Sequence, residues 1–161
     1  MAMIEEKIEN MGLYLPEPLK VPAGLTLPFE FVVVRGNTVY IAGHAPQEPD
    51  GSISEPLGKV GADLTVEQGY EMARKVALSM LGDLKRELGD LDRISGWCHA
   101  LGMVNVAPGF ASTTPVINGF SELILELFGP DKGAHARSAV GVAVLPLDIS
   151  VEIEAVLQIA G

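Results

Sequence analysis

Nine residues near the C-terminus, Val151 to Ile159, divide between two faces. Val151, Ile153, Ala155, Leu157 and Ile159 form an apolar set, and Glu152, Glu154 and Gln158 lie between them. Side chains along a strand point alternately to opposite faces, so this pattern predicts a strand with one buried and one polar face. The segment before it also alternates. Ser138, Val140, Val142 and Val144 form a valine-rich face, and Arg137, Ala139, Gly141, Ala143 and Leu145 form a face of mostly small side chains. Pro146 breaks the pattern, so the two runs read as an antiparallel hairpin. Pairing about Leu147 sets residue 142 against 152 and Arg137 against 157. In that register Arg137 stands about five residues from Glu152 along the ladder, roughly 17 Å at ~3.3 Å per residue. Within one chain the two are then too far apart to touch one small ligand. Either the register differs, or a site that uses both joins two subunits.

Two amphipathic helices are needed to cover such a sheet. Thr65 and Gln68 match a capping box, and Val66, Tyr70, Ala73, Ala77, Met80 or Leu81, Leu84 and Leu88 follow at helical spacing. Gly89 ends this helix, and Glu71 with Lys75 forms an i,i+4 pair on its wet side. Thr114 and Pro115 read as the N-cap and first residue of a second helix. Its stripe is Val116, Phe120, Leu123, Leu127 and Phe128, and Gly129-Pro130 stops it. A strand is expected across Ile94 to Val106, weakened by Gly96 and Gly102. Phe29 to Arg35 and Thr38 to Ala42 flank the turn Gly36-Asn37 as a first hairpin, and Gly43 to Gly61 reads as a surface loop. Ile4, Ile8 and Met11 predict a short helix over residues 2–12, stopped by Gly12. Pro16, Pro18, Pro22 and Pro28 make the next stretch irregular. The order predicts an α+β fold, two long helices on one face of an antiparallel or mixed sheet. It is read as one domain over 1–161, with a helix and extended arm over 1–26 and a core over 27–161.

Composition removes several function classes. The chain has 161 residues, a formal charge of −10 and eleven basic residues. Those basic residues form no run, and binding a polyanion requires clustered cations, so the balance counts against nucleic acid as a partner. No window approaches the ~18 apolar residues of a membrane span. The acidic start MAMIEEKIENMG is not read as a signal peptide, and the single cysteine, Cys98, suggests a reducing compartment, so a cytoplasmic protein is expected. Cys98 and His99 are neighbours on a strand and face opposite ways, so they form no local dyad, and Cys98 is expected to be a buried, inert thiol. His99 and His135 have no metal-ligand spacing, so no metal site is read. The glycines match no phosphate loop, and no cofactor is expected.

The segment from His135 to Ile159 contains ARS, then LP, then VEIEA. In that order these resemble the closing segment of the RidA family, also called YjgF or L-PSP. The resemblance extends over roughly Leu27 to Ile159, through GNTVYIAGHAP (Gly36 to Pro46) and VINGFSELILELFG, which carries Asn118. The longer chain is most similar to the branch labelled endoribonuclease. The resemblance implies a chorismate-mutase-like fold, a homotrimeric barrel and a ligand site in each cleft between subunits. It places the carboxylate-binding arginine on Arg137, a ligand-contacting glycine N–H on Gly43, the helix asparagine on Asn118 and the water-holding glutamate on Glu152. Phe29 stands where the family has tyrosine, Ala42 where it has serine, His44 where it has glutamine, and Ala139 at a position often held by cysteine.

The chemistry implied is hydrolysis of enamines or imines, such as 2-aminoacrylate, to a 2-keto acid and ammonia. An arginine fork clamps a carboxylate, and a carboxylate activates water. Read without the resemblance, Arg137 is a surface arginine at a strand end. Glu152 and Glu154 are then a solvated face, and His44 is either a proton shuttle or a loop residue bonded to backbone. Two other classes stay open: a non-catalytic trimer that binds a small carboxylate or keto acid, and an endoribonuclease that inhibits translation. The missing hydroxyls at Phe29 and Ala42 predict a bulkier or more apolar ligand than 2-aminoacrylate.

Overall fold

The computed structural model describes residues 3–161. Helix α1 (Met3–Asn10) leads into an extended arm, then strands β1 (Val32–Arg35) and β2 (Thr38–His44). Helix α2 (Val66–Leu88), strand β3 (Ile94–Asn105) and helix α3 (Thr113–Lys132) follow. Strands β4 (Ala136–Val142) and β5 (Val151–Ile159) close the chain. The fold is α+β, with both long helices on one face of a five-stranded mixed sheet in the order β1-β2-β5-β3-β4. No described helix is long and apolar enough to cross a membrane.

The α2 cap forms as its sequence predicts. Thr65 Oγ1 accepts from the Gln68 backbone N–H at 3.1 Å, Gln68 Oε1 accepts from the Thr65 N–H at 2.9 Å, and Gly89 ends the helix in the left-handed conformation. The buried side of α2 is wider than its expected stripe and includes Met72, Val76 and Leu78. The arm adds cover on that side: Pro16 lies against Gly82, and Arg86 donates to the Pro16 carbonyl at 2.9 Å. Tyr70 sits half-exposed at the stripe's edge and donates its hydroxyl to Glu122 on α3. Lys75 does not pair with Glu71; it reaches Glu48 at 2.6 Å.

Four boundaries differ from expectation. The first helix runs Met3–Asn10, and Ala2 lies outside the described residues. The first strand begins at Val32 rather than Phe29, because Leu27 to Phe29 belong to the arm. Helix α3 starts at Thr113 with Ser112 as N-cap, two residues earlier than the expected cap at Thr114. Gly129 breaks its helical geometry (φ 79°, ψ 173°), and one further turn continues through Pro130 to Lys132.

The larger correction concerns the C-terminal hairpin. Strands β4 and β5 do not pair. Strand β3 lies between them, parallel to β4 and antiparallel to β5. Helix α3 returns the chain from β3 to β4 as a crossover, which makes that pair parallel. Strand β5 enters the gap between β2 and β3, where its apolar face can meet both helices. Arg137 is therefore level with Ala100 and, across β3, with Ala155.

The helices meet at close range. A Cβ on Gly119 of α3 would stand 2.1 Å from the Tyr70 carbonyl oxygen of α2. Trp97, Phe120 and Phe128 interlock edge to face beside this contact, with centroids 5.9 and 5.7 Å apart. Gly119→Ala must separate two backbones, and overpacking of this kind costs about 1–3 kcal/mol. Urea denaturation is expected to show a lower midpoint with an unchanged slope.

Candidate functional site

The chemistry-bearing residues fall into two groups. The first surrounds a cavity of about 280 Å³ at one end of the sheet. Leu19, Val21, Leu25, Leu27 and Phe29 from the arm form one wall, and Phe31, Gly43 and His44 form the floor. Leu147 stands at the lip, and Glu152 enters from β5. The proline-rich arm holds its course because backbone groups tie it down. Glu17 N–H donates to the Pro49 carbonyl at 2.9 Å, Lys20 N–H donates to the Gly51 carbonyl at 3.0 Å, and Gln47 Nε2 donates to the Glu17 carbonyl at 3.1 Å.

A bulge in β2 sorts Gly43 from His44. Ile41 pairs with Ala155, but His44 rather than residue 43 pairs with Ile153. One extra residue in β2 re-aims the side chains that follow. His44 thus takes the register of a core-facing residue and is 1% exposed. Gly43 faces Glu152, whose Oε2 lies 2.6 Å from where a Cβ on Gly43 would stand. Only a residue without a side chain leaves the carboxylate in that position.

His44 ties β2 to α2. Its Nδ1 lies 2.6 Å from the Ala42 carbonyl oxygen and its Nε2 3.0 Å from Asp83 Oδ2. Both ring nitrogens thus face acceptors, the Ala42 carbonyl and the Asp83 carboxylate. Arg86 donates to the other Asp83 oxygen at 2.6 Å. Burial works to raise the Asp83 pKa, but hydrogen bonds from His44 and Arg86 outweigh it and hold it below the usual carboxylate value. Because that value is depressed on folding, the stabilisation is present above the unfolded-state pKa. It is lost as pH falls through the folded-state pKa. Asp83→Asn is expected to remove on the order of 1–3 kcal/mol at neutral pH. In thermal melts the gap from wild type should close in acid below the usual carboxylate range.

Glu152 is half-buried, and among the described residues no hydrogen bond reaches its carboxylate. Burial raises its pKa, Glu154 adds to the rise, and His44 opposes it. A carboxyl so placed holds a proton more readily than an exposed glutamate does.

The second group lies on the other face. Arg137 points to the helix side, where Nη1 donates to Ser121 Oγ at 2.9 Å and Nη2 approaches the Thr114 carbonyl at 3.4 Å. Asn118 lies on the same α3 stripe, at i+4 from Thr114 and three residues before Ser121. Ser121 also meets His135 Nε2 at 2.8 Å, and His135 Nδ1 meets the Gly133 carbonyl at 2.7 Å. Burial depresses the Arg137 pKa, and Glu122 partly opposes this. Arg137 and Glu152 are therefore separated by β3, three register positions and the thickness of the sheet.

The structure thus brings Phe29, Gly43, His44 and Glu152 to one cavity, and Asn118 and Arg137 to another surface. His44 lies in a strand, not in the loop after it. Cys98 is exposed, which corrects the expectation of a buried thiol. Irregular pairing in β3 between Trp97 and His99 replaces strict alternation there, leaving Cys98 and His99 both exposed. Sequence reasoning missed Asp83 and Ser121, which look like ordinary wet positions of a helix, and gave His135 no role. It also missed the arm residues other than Phe29. Their signal was a set of large apolar side chains in a stretch with no periodic face.

Residues 5–156 match the family described as "YjgF/chorismate_mutase-like, putative endoribonuclease". Protein TCP17 of Trypanosoma cruzi is 37% identical over 143 residues, 88% of each chain. The crystal structure of Atu1372 from Agrobacterium tumefaciens, a protein of unknown function, has a TM-score of 0.87 at 34% identity and covers 99% of this chain and 94% of its own. Escherichia coli TdcF with bound serine shares the fold with a TM-score of 0.58 at 19% identity, over 89% of this chain and 99% of its own. The chain belongs to the YjgF/chorismate-mutase-like family, as its terminal motifs imply.

Proposed function

We propose that this family member hydrolyses carboxylate-bearing imines or enamines to a 2-keto acid and ammonia, in a cleft that two copies of the chain build together. The observation that carries the reading is the division of the site. Arg137 and Asn118 stand on the helix side of the sheet edge, and Gly43 and Glu152 stand at the cavity on the opposite face. One chain alone offers either the fork for a carboxylate or the base for water. A second copy supplies the missing half, and a trimer closes the arrangement.

In the shared cleft, Arg137 and Asn118 of one subunit hold the ligand carboxylate, with the Gly43 N–H of the other. Arginine suits this because its planar fork donates two parallel hydrogen bonds. Glu152 accepts a proton as water oxygen attacks the imine carbon. Starting from the protonated imine, the same carboxyl returns that proton to the carbinolamine nitrogen and then takes the hydroxyl proton as the carbonyl forms and the carbon–nitrogen bond breaks, releasing ammonia and the keto acid. Phe29 contributes an apolar wall, and His44 holds the β2 bulge that aims Gly43 at Glu152. TdcF, which binds serine, supports a small amino-acid-like ligand in this fold. The endoribonuclease label in the family description is opposed here by the charge of −10, which repels a polyanion.

Mixing two inactive variants tests the shared site. Arg137→Ala and Glu152→Gln, unfolded and refolded together, are expected to regain part of the wild-type ammonia release. Some clefts then combine an intact arginine with an intact glutamate. Separately refolded samples stay inactive. No recovery in the mixture, with oligomers confirmed by light scattering, overturns the shared site.

A further inference from the structure

Ser121, His135 and Arg137 form a linked trio on the helix side of the sheet. His135 lies fourteen residues beyond Ser121 in sequence, yet its Nε2 is 2.8 Å from Ser121 Oγ. The end of α3 brings them together. Its last turn follows the break at Gly129, and Gly133 closes it by donating its N–H to the Gly129 carbonyl at 2.9 Å. A Cβ on Gly133 would stand 2.7 Å from that oxygen and 2.9 Å from the Ile124 carbonyl oxygen, so the cap seats only glycine. This fixes the Gly133 carbonyl, which His135 Nδ1 meets at 2.7 Å. Phe120, wholly buried, packs edge to face on the imidazole with centroids 5.9 Å apart.

These contacts decide where the shared proton sits. A backbone carbonyl only accepts, so the single proton of a neutral His135 lies on Nδ1. Nε2 is then an acceptor, and the Ser121 hydroxyl donates to it. A hydroxyl aimed at a base whose ring is oriented by a third group is the arrangement that activates serine for attack. Arg137 Nη1 donates to the same Oγ at 2.9 Å, and its charge favours negative charge that develops there. Its Nη2 is held loosely, 3.4 Å from the Thr114 carbonyl. The trio lines a groove of about 360 Å³ with Leu125 and Ala134, and Ser121 is half-exposed in it. Leu125 is 40% exposed and gives the groove an apolar wall of modest size.

We propose that Ser121 is an acyl-accepting nucleophile with His135 as its base, and that the protein cleaves esters of short-chain carboxylic acids in this groove. Ser121 Oγ attacks the ester carbonyl carbon, and its proton passes to His135 Nε2. The adduct collapses, the bond to the alcohol oxygen breaks, and that oxygen takes the proton from His135. The acyl group stays on Oγ. Water then attacks the acyl carbon and gives a proton to His135, and the acid departs as that proton returns to Oγ. One ester and one water thus become an acid and an alcohol with no other reactant. Arg137 stabilises the oxyanion of both adducts. This activity is independent of imine hydrolysis at Glu152.

The test treats the full-length protein with p-nitrophenyl acetate and p-nitrophenyl butyrate. Absorbance follows release of p-nitrophenol, and peptide mass spectrometry locates the acyl group. Wild type is expected to give a burst of about one equivalent per chain and then slower turnover, with the acyl group on Ser121. Ser121→Ala should abolish the burst. His135→Gln should slow acylation by about 100- to 10,000-fold, the contribution of a positioned base. Arg137→Met should slow it by about 100- to 1,000-fold, as loss of an oxyanion donor does. Thermal melts establish that each variant is folded, and the acyl map of wild type decides the matter without any substitution. A serine that only positions Arg137 stays unmodified, and that result overturns the proposal. So does acyl transfer to lysines, Cys98 or His99 in place of Ser121, or a burst that persists in folded Ser121→Ala.

Discussion

Glu152→Gln is expected to lower ammonia release from 2-imino acids by about 100- to 10,000-fold while 2-keto-acid binding is kept. That range is what a positioned general base contributes. Glutamine keeps the shape and can hold a water, but it cannot take the water's proton. In wild type the rate should climb with pH through the Glu152 pKa, which burial has raised above the ordinary glutamate value. The variant should lack that limb. Stability should move the other way. A carboxyl whose pKa is raised on folding contributes stability below its unfolded-state pKa, and this is lost as pH rises through the folded-state pKa. At neutral pH the ionised Glu152 therefore works against folding, and glutamine should raise the melting temperature. A variant that loses turnover and keto-acid binding equally, or that melts lower, would show Glu152 to be a structural residue.

Arg137→Lys is the second large effect. Lysine keeps the charge but loses the planar fork and its bond to Ser121 Oγ, seen at 2.9 Å. Each charge-assisted bond is worth about 1.5–3 kcal/mol, so pyruvate or 2-ketobutyrate should bind roughly 10- to 100-fold more weakly. Ser121, itself bonded to His135, accepts from the guanidinium, so Ser121→Ala should weaken binding in the same direction and by less. Calorimetry on the oligomer measures both. Unchanged keto-acid binding by the lysine variant would remove Arg137 from the site. A strictly monomeric species at micromolar concentration would remove the shared cleft.

Much of the fold could be read locally. The α2 start is written in Thr65 and Gln68 and its end in Gly89, because a helix end is satisfied by groups within a few residues of it. The alternation from Val151 to Ile159 matches the buried face found there, since burial on one side of a sheet leaves a period of two. The terminal motifs placed the chain in its family and marked Arg137 and Glu152 as site residues, and the segment Gly36 to Pro46 marked Gly43.

What the sequence alone could not decide was which strands are neighbours and which way His44 points. Two strands joined by a short turn are usually partners, yet β3 separates β4 from β5. That choice depends on the α3 crossover and on burying the β5 face under two helices at once, which are long-range terms. The β2 bulge is similar. It turns His44 into the core toward Asp83, thirty-nine residues away, and sets Gly43 against Glu152. Nothing in GNTVYIAGH marks the extra residue, because its register is set by pairing with β5. The arm's leucines gained a role only when tertiary contacts folded an irregular segment over the sheet end. Local residues thus determined the elements and the chemical groups; packing between distant segments decided their order, their faces and the cavity they share.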